Sequence, residues 1–125
     1  MIEPSRGDVW LVDLNPTRGR EQAGSRPALI VSVDPFNQGA AELVIACPIT
    51  SRSKGIPTHV QVDPPEGGLT VPSFIKCEDI RSISTSRLLR RFGLVSTETM
   101  RKSKTDWLSF SVSACEHECS SVFKN

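Results

Sequence analysis

Three arginines and a glutamate crowd the segment RGREQAGSRP, as Arg18, Arg20, Glu21 and Arg26, and Pro27 opens an apolar run behind them. Arginine stays protonated and presents a planar fork of N–H donors, so such a cluster can grip the oxygens of a phosphate. It can equally be surface charge, with Arg26 paired to Glu21 at little energetic gain. Arg87, Arg90 and Arg91 make a second basic cluster. In ACEHEC, Cys115, His117 and Cys119 offer atoms that zinc accepts. A structural zinc takes four ligands in a tetrahedron, however, and on a helix His117 points away from the face that the two cysteines share. No metal is expected. His59 lies in THVQV, an alternating strand pattern with no partner motif, which argues against a Ser-His-Asp site. No phosphate-binding loop, dinucleotide glycine motif, zinc-protease motif or nucleophile elbow occurs. With no tyrosine in the chain, stacking on bases would rest on few aromatics.

These side chains need a scaffold, and strand signals dominate the first two thirds of the chain. DVWLVDL (8–14) is rich in Val, Leu and Trp and ends at an Asn15-Pro16 turn. PALIVSV (27–33) carries its proline at the start, where a strand tolerates one. Residues 34–41 read as a loop. ELVIACP (42–48) is nearly all apolar, as for a strand buried on both faces. THVQV (58–62) alternates, residues 64–68 form a turn, and strands follow at 73–77 and 80–83. Residues 85–89 suit a single helical turn. A helix then starts near Ser96, an N-cap with Glu98 in its first turn. Met100, Trp107, Leu108, Ser111, Val112 and Cys115 recur at helical spacing, with Trp107 docking the helix on the sheet. Five or more short strands and one late helix predict a small barrel with appended helix.

The 125 residues suit one domain spanning 1–125. No apolar run approaches the roughly 20 residues of a membrane helix, and MIEPSRGDVW has no apolar signal region, so a cytoplasmic location without membrane contact is expected. A net charge of +1 advertises no nucleic-acid binder, so any basic surface must come from local clustering. Cys47 and Cys77 sit in apolar runs and read as buried core thiols rather than disulfide partners.

Four blocks point further. RGDVWLVDLNPTRGREQAGSRPALIVS (6–32), CPITS (47–51), PTHVQV (57–62) and IKCEDIRSIS (75–84) resemble, in order and spacing, the MazF/PemK toxin family. The similarity spans roughly residues 6–112 and leaves 113–125 unassigned. The resemblance implies a mainly β, SH3-like small barrel with a C-terminal helix, working as a homodimer. It implies a toxin of a toxin–antitoxin pair that cuts single-stranded RNA at short sequences without metal or other cofactor, leaving a 2′,3′-cyclic phosphate and a 5′-hydroxyl. A cognate antitoxin with an acidic, partly disordered segment would cover the RNA surface. By motif, the arginine of G-x-R-P is Arg26, the hydroxyl residue of P-x-T-S is Thr50 with Ser51 beside it, and the acid of G-x-E-Q is Glu21. Arg18, Arg20, Lys76 and Glu78 join Ser51 on the RNA-binding surface. Some members have Arg and Asp in place of Lys76 and Glu78, and many have Gln in place of Asp79. A carboxylate at Asp79 would repel RNA if it faced the groove.

Cleavage by the neighbouring 2′-OH needs a base, an acid for the leaving oxygen, and positive charge at the pentacovalent phosphorus. Without a metal, side chains must supply that charge. Arg26 is therefore a charge stabiliser, Thr50 a donor to a non-bridging oxygen, and Glu21 the candidate base with Glu78 behind it. Two rivals share the barrel. Gyrase-poisoning toxins end in Trp-Gly-Ile, whereas this chain ends SSVFKN. A degenerate member would only bind RNA or antitoxin.

Overall fold

The computed structural model describes residues 4–13, 24–52, 55 and 59–111, with side chains described as far as 105. Seven strands form one antiparallel sheet: β1 (Asp8–Asp13), β2 (Ser25–Ile30), β3 (Leu43–Thr50), β4 (His59–Val62), β5 (Ser73–Lys76), β6 (Arg81–Ser84) and β7 (Leu88–Leu94). Their order is β4-β5-β3-β2-β1-β7, and β6 also pairs with β3. Helix α1 (Asp34–Asn37) is one turn, and α2 (Thr97–Ser111) follows β7. The mainly β, SH3-like barrel with a C-terminal helix is borne out.

Alternation builds two cores from the same strands. Val9, Leu29, Cys47 and Ile49 point to the interior, where Val60, Ile75 and Val95 complete the packing. Their neighbours Trp10, Ala28, Ile30, Val44 and Ala46 point to the opposite face and pack with Ile83 and Leu88. Strands covered on both faces read as near-continuous apolar runs, as ELVIACP does. Cys47 and Cys77 are buried free thiols, and burial pushes the Cys47 thiol well above its usual range.

A turn, not a strand, fills the gap beside β7. The 3-10 turn Glu66–Gly68 lies backbone to backbone on it. A Cβ on Gly68 would fall 2.1 Å from the Phe92 carbonyl oxygen, and one on Gly93 would fall 2.7 Å from the Gly68 nitrogen. Gly68 also holds φ +71°, a left-handed backbone that suits glycine.

The same turn fastens the helix. Ser96 caps α2, its hydroxyl oxygen accepting the Thr99 N–H at 3.1 Å. The Glu66 carboxylate accepts the Ser96 N–H at 2.8 Å and the Thr99 hydroxyl. Ser96 was expected to cap; its reinforcement from a residue thirty positions earlier was not. Glu98 pairs instead with Arg101 on the exposed side. Cys77 donates through its thiol to the Ser103 carbonyl oxygen, 3.8 Å away, tying the turn after β5 to α2.

Two assignments change. Residues 85–89 were expected as a helical turn, but only Thr85–Arg87 turn, and residues 88–94 are the unforeseen strand β7. The register of β7 on β1 slips twice, at Phe92 and at Leu89. Those bulges destroy the alternation by which a strand is read. The supposed loop 34–41 also holds α1, with Pro35 in its first turn. The side chains of Trp107, Leu108 and Ser111, and all of Val112, Cys115, His117 and Cys119, lie outside the described residues.

Burial pushes the Glu66 carboxyl up, but the hydrogen bonds from Thr99 and Ser96 outweigh it, and the net shift is below the usual value. A depressed carboxylate stabilises the fold above its unfolded pKa and loses that contribution as pH falls through the folded pKa. Glu66→Gln should therefore cost about 1–2 kcal/mol near neutral pH. Denaturation followed across pH should show the gap to the wild type closing as the pH falls below the ordinary carboxylate range.

Candidate active site

The ladder between β2 and β3 runs Ile30–Ala46, Leu29–Cys47 and Ala28–Pro48, and stops there. Pro27 and Pro48 stand at its end, and neither has an N–H to give. Beyond that point β2 stays on β1, and β3 takes β5 as its partner. Arg26 pairs across to Val12 of β1, and Thr50 to Phe74 of β5. Continuing the broken register by two residues sets Arg26 opposite Thr50, on the same side of their strands. The divergence opens a groove of about 550 Å³ whose walls include Arg26, Thr50, Ser51, Gly68 and Phe92.

Thr50 is half-buried. Its hydroxyl oxygen accepts the Arg52 N–H at 3.2 Å, which leaves the hydroxyl proton for a ligand. Arg26 is half-buried, while Ser51 is exposed beside Thr50. A fixed cation facing a fixed hydroxyl across a solvent-filled groove can hold a tetrahedral or pentacovalent oxyanion.

The groove has a third basic wall. Arg90 and Arg91 of β7 line it with Phe92. The Arg91 Nε lies 3.2 Å from Oδ1 of Asp8. Asp8 is buried, and its Oδ2 accepts the Ser5 N–H at 2.9 Å and the Trp10 indole N–H at 3.2 Å. The Arg90 guanidinium carbon sits 5.0 Å from the centre of the Phe92 ring.

Lys76 and Glu78 are not among the described residues lining this groove. Glu78 lies in the turn Cys77–Asp79, which packs on α2 instead. Glu78 meets the buried His59, with Oε2 at 3.0 Å from Nε2. Since a carboxylate only accepts, that nitrogen carries the proton. Asp79 accepts from Arg81 at 2.7 Å and lies 3.9 Å from the Lys76 ammonium, so its charge is met within the protein. Glu21, Arg18 and Arg20 lie outside the described residues. No group of acidic, histidine and cysteine side chains that could hold a metal occurs among the described residues.

Residues 5–106 match the family described as PemK-like, MazF-like toxin of type II toxin-antitoxin system. The chain belongs to that family. It is similar to the endoribonuclease MazF9 of Mycobacterium tuberculosis, 43% identical over 96 residues that cover 73% of this chain and 81% of the relative. Among solved structures, MazF from Deinococcus radiodurans superposes with a TM-score of 0.76 at 29% identity, covering 87% of this chain and 96% of that one. An endoribonuclease in complex with its cognate antitoxin, from a mycobacterial species, gives 0.69 at 28% identity, covering 88% and 94%.

Within this toxin family chain, Arg26, Thr50 and Ser51 were legible from two short motifs, and they meet in one groove. Arg90 and Arg91 were visible in the sequence only as a basic cluster. The missing signal was the strand that aims them. That aim depends on the close contact of Gly68 with β7. Gly68→Ala should lose about 2 kcal/mol or more, combining a strained φ with a steric collision. Thermal unfolding checks it: an alanine variant melting within a degree of the wild type would show that the contact is not needed.

Proposed function

We propose that this chain is a toxin endoribonuclease that cuts single-stranded RNA in the groove between Arg26 and Thr50, without a metal. The observation that carries the reading is that both residues line one groove where the β2–β3 ladder ends, in a chain of the PemK/MazF toxin family.

The chemistry follows from the side chains. The 2′-OH of one nucleotide attacks its own 3′-phosphate, and negative charge builds on the non-bridging oxygens. Arg26 forks onto those oxygens and stays charged throughout. Thr50 donates a hydrogen bond to one of them and keeps its proton, its oxygen being already engaged by the Arg52 N–H. Glu21 serves as the base that takes the 2′-OH proton. As the P–O5′ bond breaks, its electron pair goes to the 5′ oxygen, which takes a proton from water, leaving a 2′,3′-cyclic phosphate and a 5′-hydroxyl. By motif, Arg18, Arg20 and Ser51 would bind the RNA strand. Glu78, bonded to His59, is the weaker candidate for the base.

A homodimer and an acidic antitoxin complete the proposal. Strand β7 ends the sheet order and exposes Leu89 and Leu94, apolar side chains that a second copy can cover. The groove's arginines suit an acidic segment that folds as it binds, in keeping with the mycobacterial relative solved with its antitoxin. No helix among the described residues is long and apolar enough to cross a membrane, and the proposed site of action is the cytoplasm.

Arg26→Ala should lower cleavage of a long single-stranded RNA in EDTA about 100- to 1,000-fold, the usual effect of removing one preorganised donor. Arg26→Lys should recover little, and Thr50→Ala should be similarly slow. Each variant should melt within a few degrees of the wild type. Full cleavage by Arg26→Ala would remove the arginine from the mechanism. Gyrase inhibition by a wild type that cuts no RNA would replace the reading altogether. Light scattering at micromolar concentration should give twice the chain mass; a monomer there would end the dimer proposal.

A further inference from the structure

We infer that the β7 rim of the groove is a nucleotide-binding subsite, in which Arg90 backed by Phe92 stacks on an unpaired base and Arg91 held by Asp8 grips a phosphate beside the scissile one. The inference rests on the RNA-cutting reading and adds to it which residues hold the neighbouring nucleotide.

The backbone supplies the first observation. In a regular strand adjacent side chains point to opposite faces, so Arg90, Arg91 and Phe92 should not share one groove. Here Trp10 pairs with Arg91 and Val9 with Gly93, which leaves Phe92 over as the extra residue of a bulge. Bulges re-aim side chains and recur beside functional sites. All three residues line the same groove as Arg26 and Thr50.

Arg91 supplies the second. Its Nε is held by the buried Asp8 carboxylate, which is itself fixed by Ser5 and Trp10. The side chain is still 50% exposed. One edge of the guanidinium is thus spent on positioning, and its terminal nitrogens remain for an oxyanion. The anchor pairs the buried Asp8 charge and fixes the guanidinium beside the groove that Arg91 lines.

Arg90 supplies the third. It is exposed, with its guanidinium over the Phe92 ring. Single-stranded RNA is recognised by stacking bases on aromatic rings and on guanidinium planes. In a chain with no tyrosine, this arrangement is a flat charged platform next to the catalytic pair. An acidic peptide would need only its charge.

The test is fluorescence anisotropy with a 2′-O-methyl RNA oligonucleotide, which binds but cannot be cut, alongside cleavage kinetics on the unmodified RNA. Arg90→Ala, on an exposed side chain that threatens no core, should bind the oligonucleotide about five- to a hundredfold more weakly. Arg90→Lys should recover little of that, because charge is kept and the plane is lost. Arg91→Ala should flatten the salt dependence, lowering the slope of log affinity against log salt by about 0.7, and Arg91→Lys should restore most of it. In cleavage the losses should fall on KM more than on kcat. Arg90→Ala binding as tightly as the wild type would overturn the subsite. Arg90→Lys doing so would overturn the stacking and favour a ligand, such as an acidic peptide, that reads charge alone. A wild type that binds the oligonucleotide yet cuts no RNA would sink the catalytic reading and leave the subsite standing. A wild type that does not bind it would overturn both.

Discussion

Strand β3 cannot keep one pair of neighbours along its whole length, and the rest of the molecule follows from that. Its buried backbone groups must all find partners. Residues 43–46 find them in β6, 46–48 in β2, and the last two in β5. The change of partner falls where Pro27 and Pro48 withhold their N–H groups. A sheet that divides there must curl, and curling encloses the interior core between β1, β3 and β5. The same division leaves a cleft floored by strand backbone. A cleft with so rigid a floor can hold a guanidinium and a hydroxyl in fixed relation, which catalysis by preorganised charge requires.

Charge is distributed with equal economy. The chain is almost neutral, yet the groove carries three arginines. The neighbouring acids are turned to internal use. Asp8 anchors Arg91 and takes the Trp10 indole, Asp79 answers Arg81 and Lys76, Glu78 meets His59, and Glu66 caps α2. Whole-chain charge was therefore a poor guide to the surface. It counts carboxylates that are tied to partners inside the fold, whereas an anionic ligand would meet only the side chains around the groove.

Much of this was legible in the sequence, for identifiable reasons. Strands β1 to β6 announce themselves through apolar runs or alternation bounded by Pro, Gly and Asn. Arg26 and Thr50 could be picked out because each belongs to a short motif that contains a proline, Pro27 and Pro48. LLRRFGL was not legible as β7, because its two bulges break the period of two on which recognition depends. The rim arginines were lost with it. Glu66 was missed for a different reason: a cap supplied from thirty residues away leaves no local trace. The proposed roles of Glu21 as base and of Arg18 and Arg20 in RNA binding rest on motif alone, since these residues fall in the segment outside the description.

The Asp8 carboxylate, shared between a groove arginine and a core tryptophan, makes the protein its own spectrometer. Trp10 lies in the second core with its indole N–H on one oxygen, and Arg91 reaches the groove from the other. Hydrogen bonds in such a chain polarise one another. An anion that drew Arg91 outward would alter the field at the indole, so the emission colour of Trp10 would report on a groove that this ring does not line.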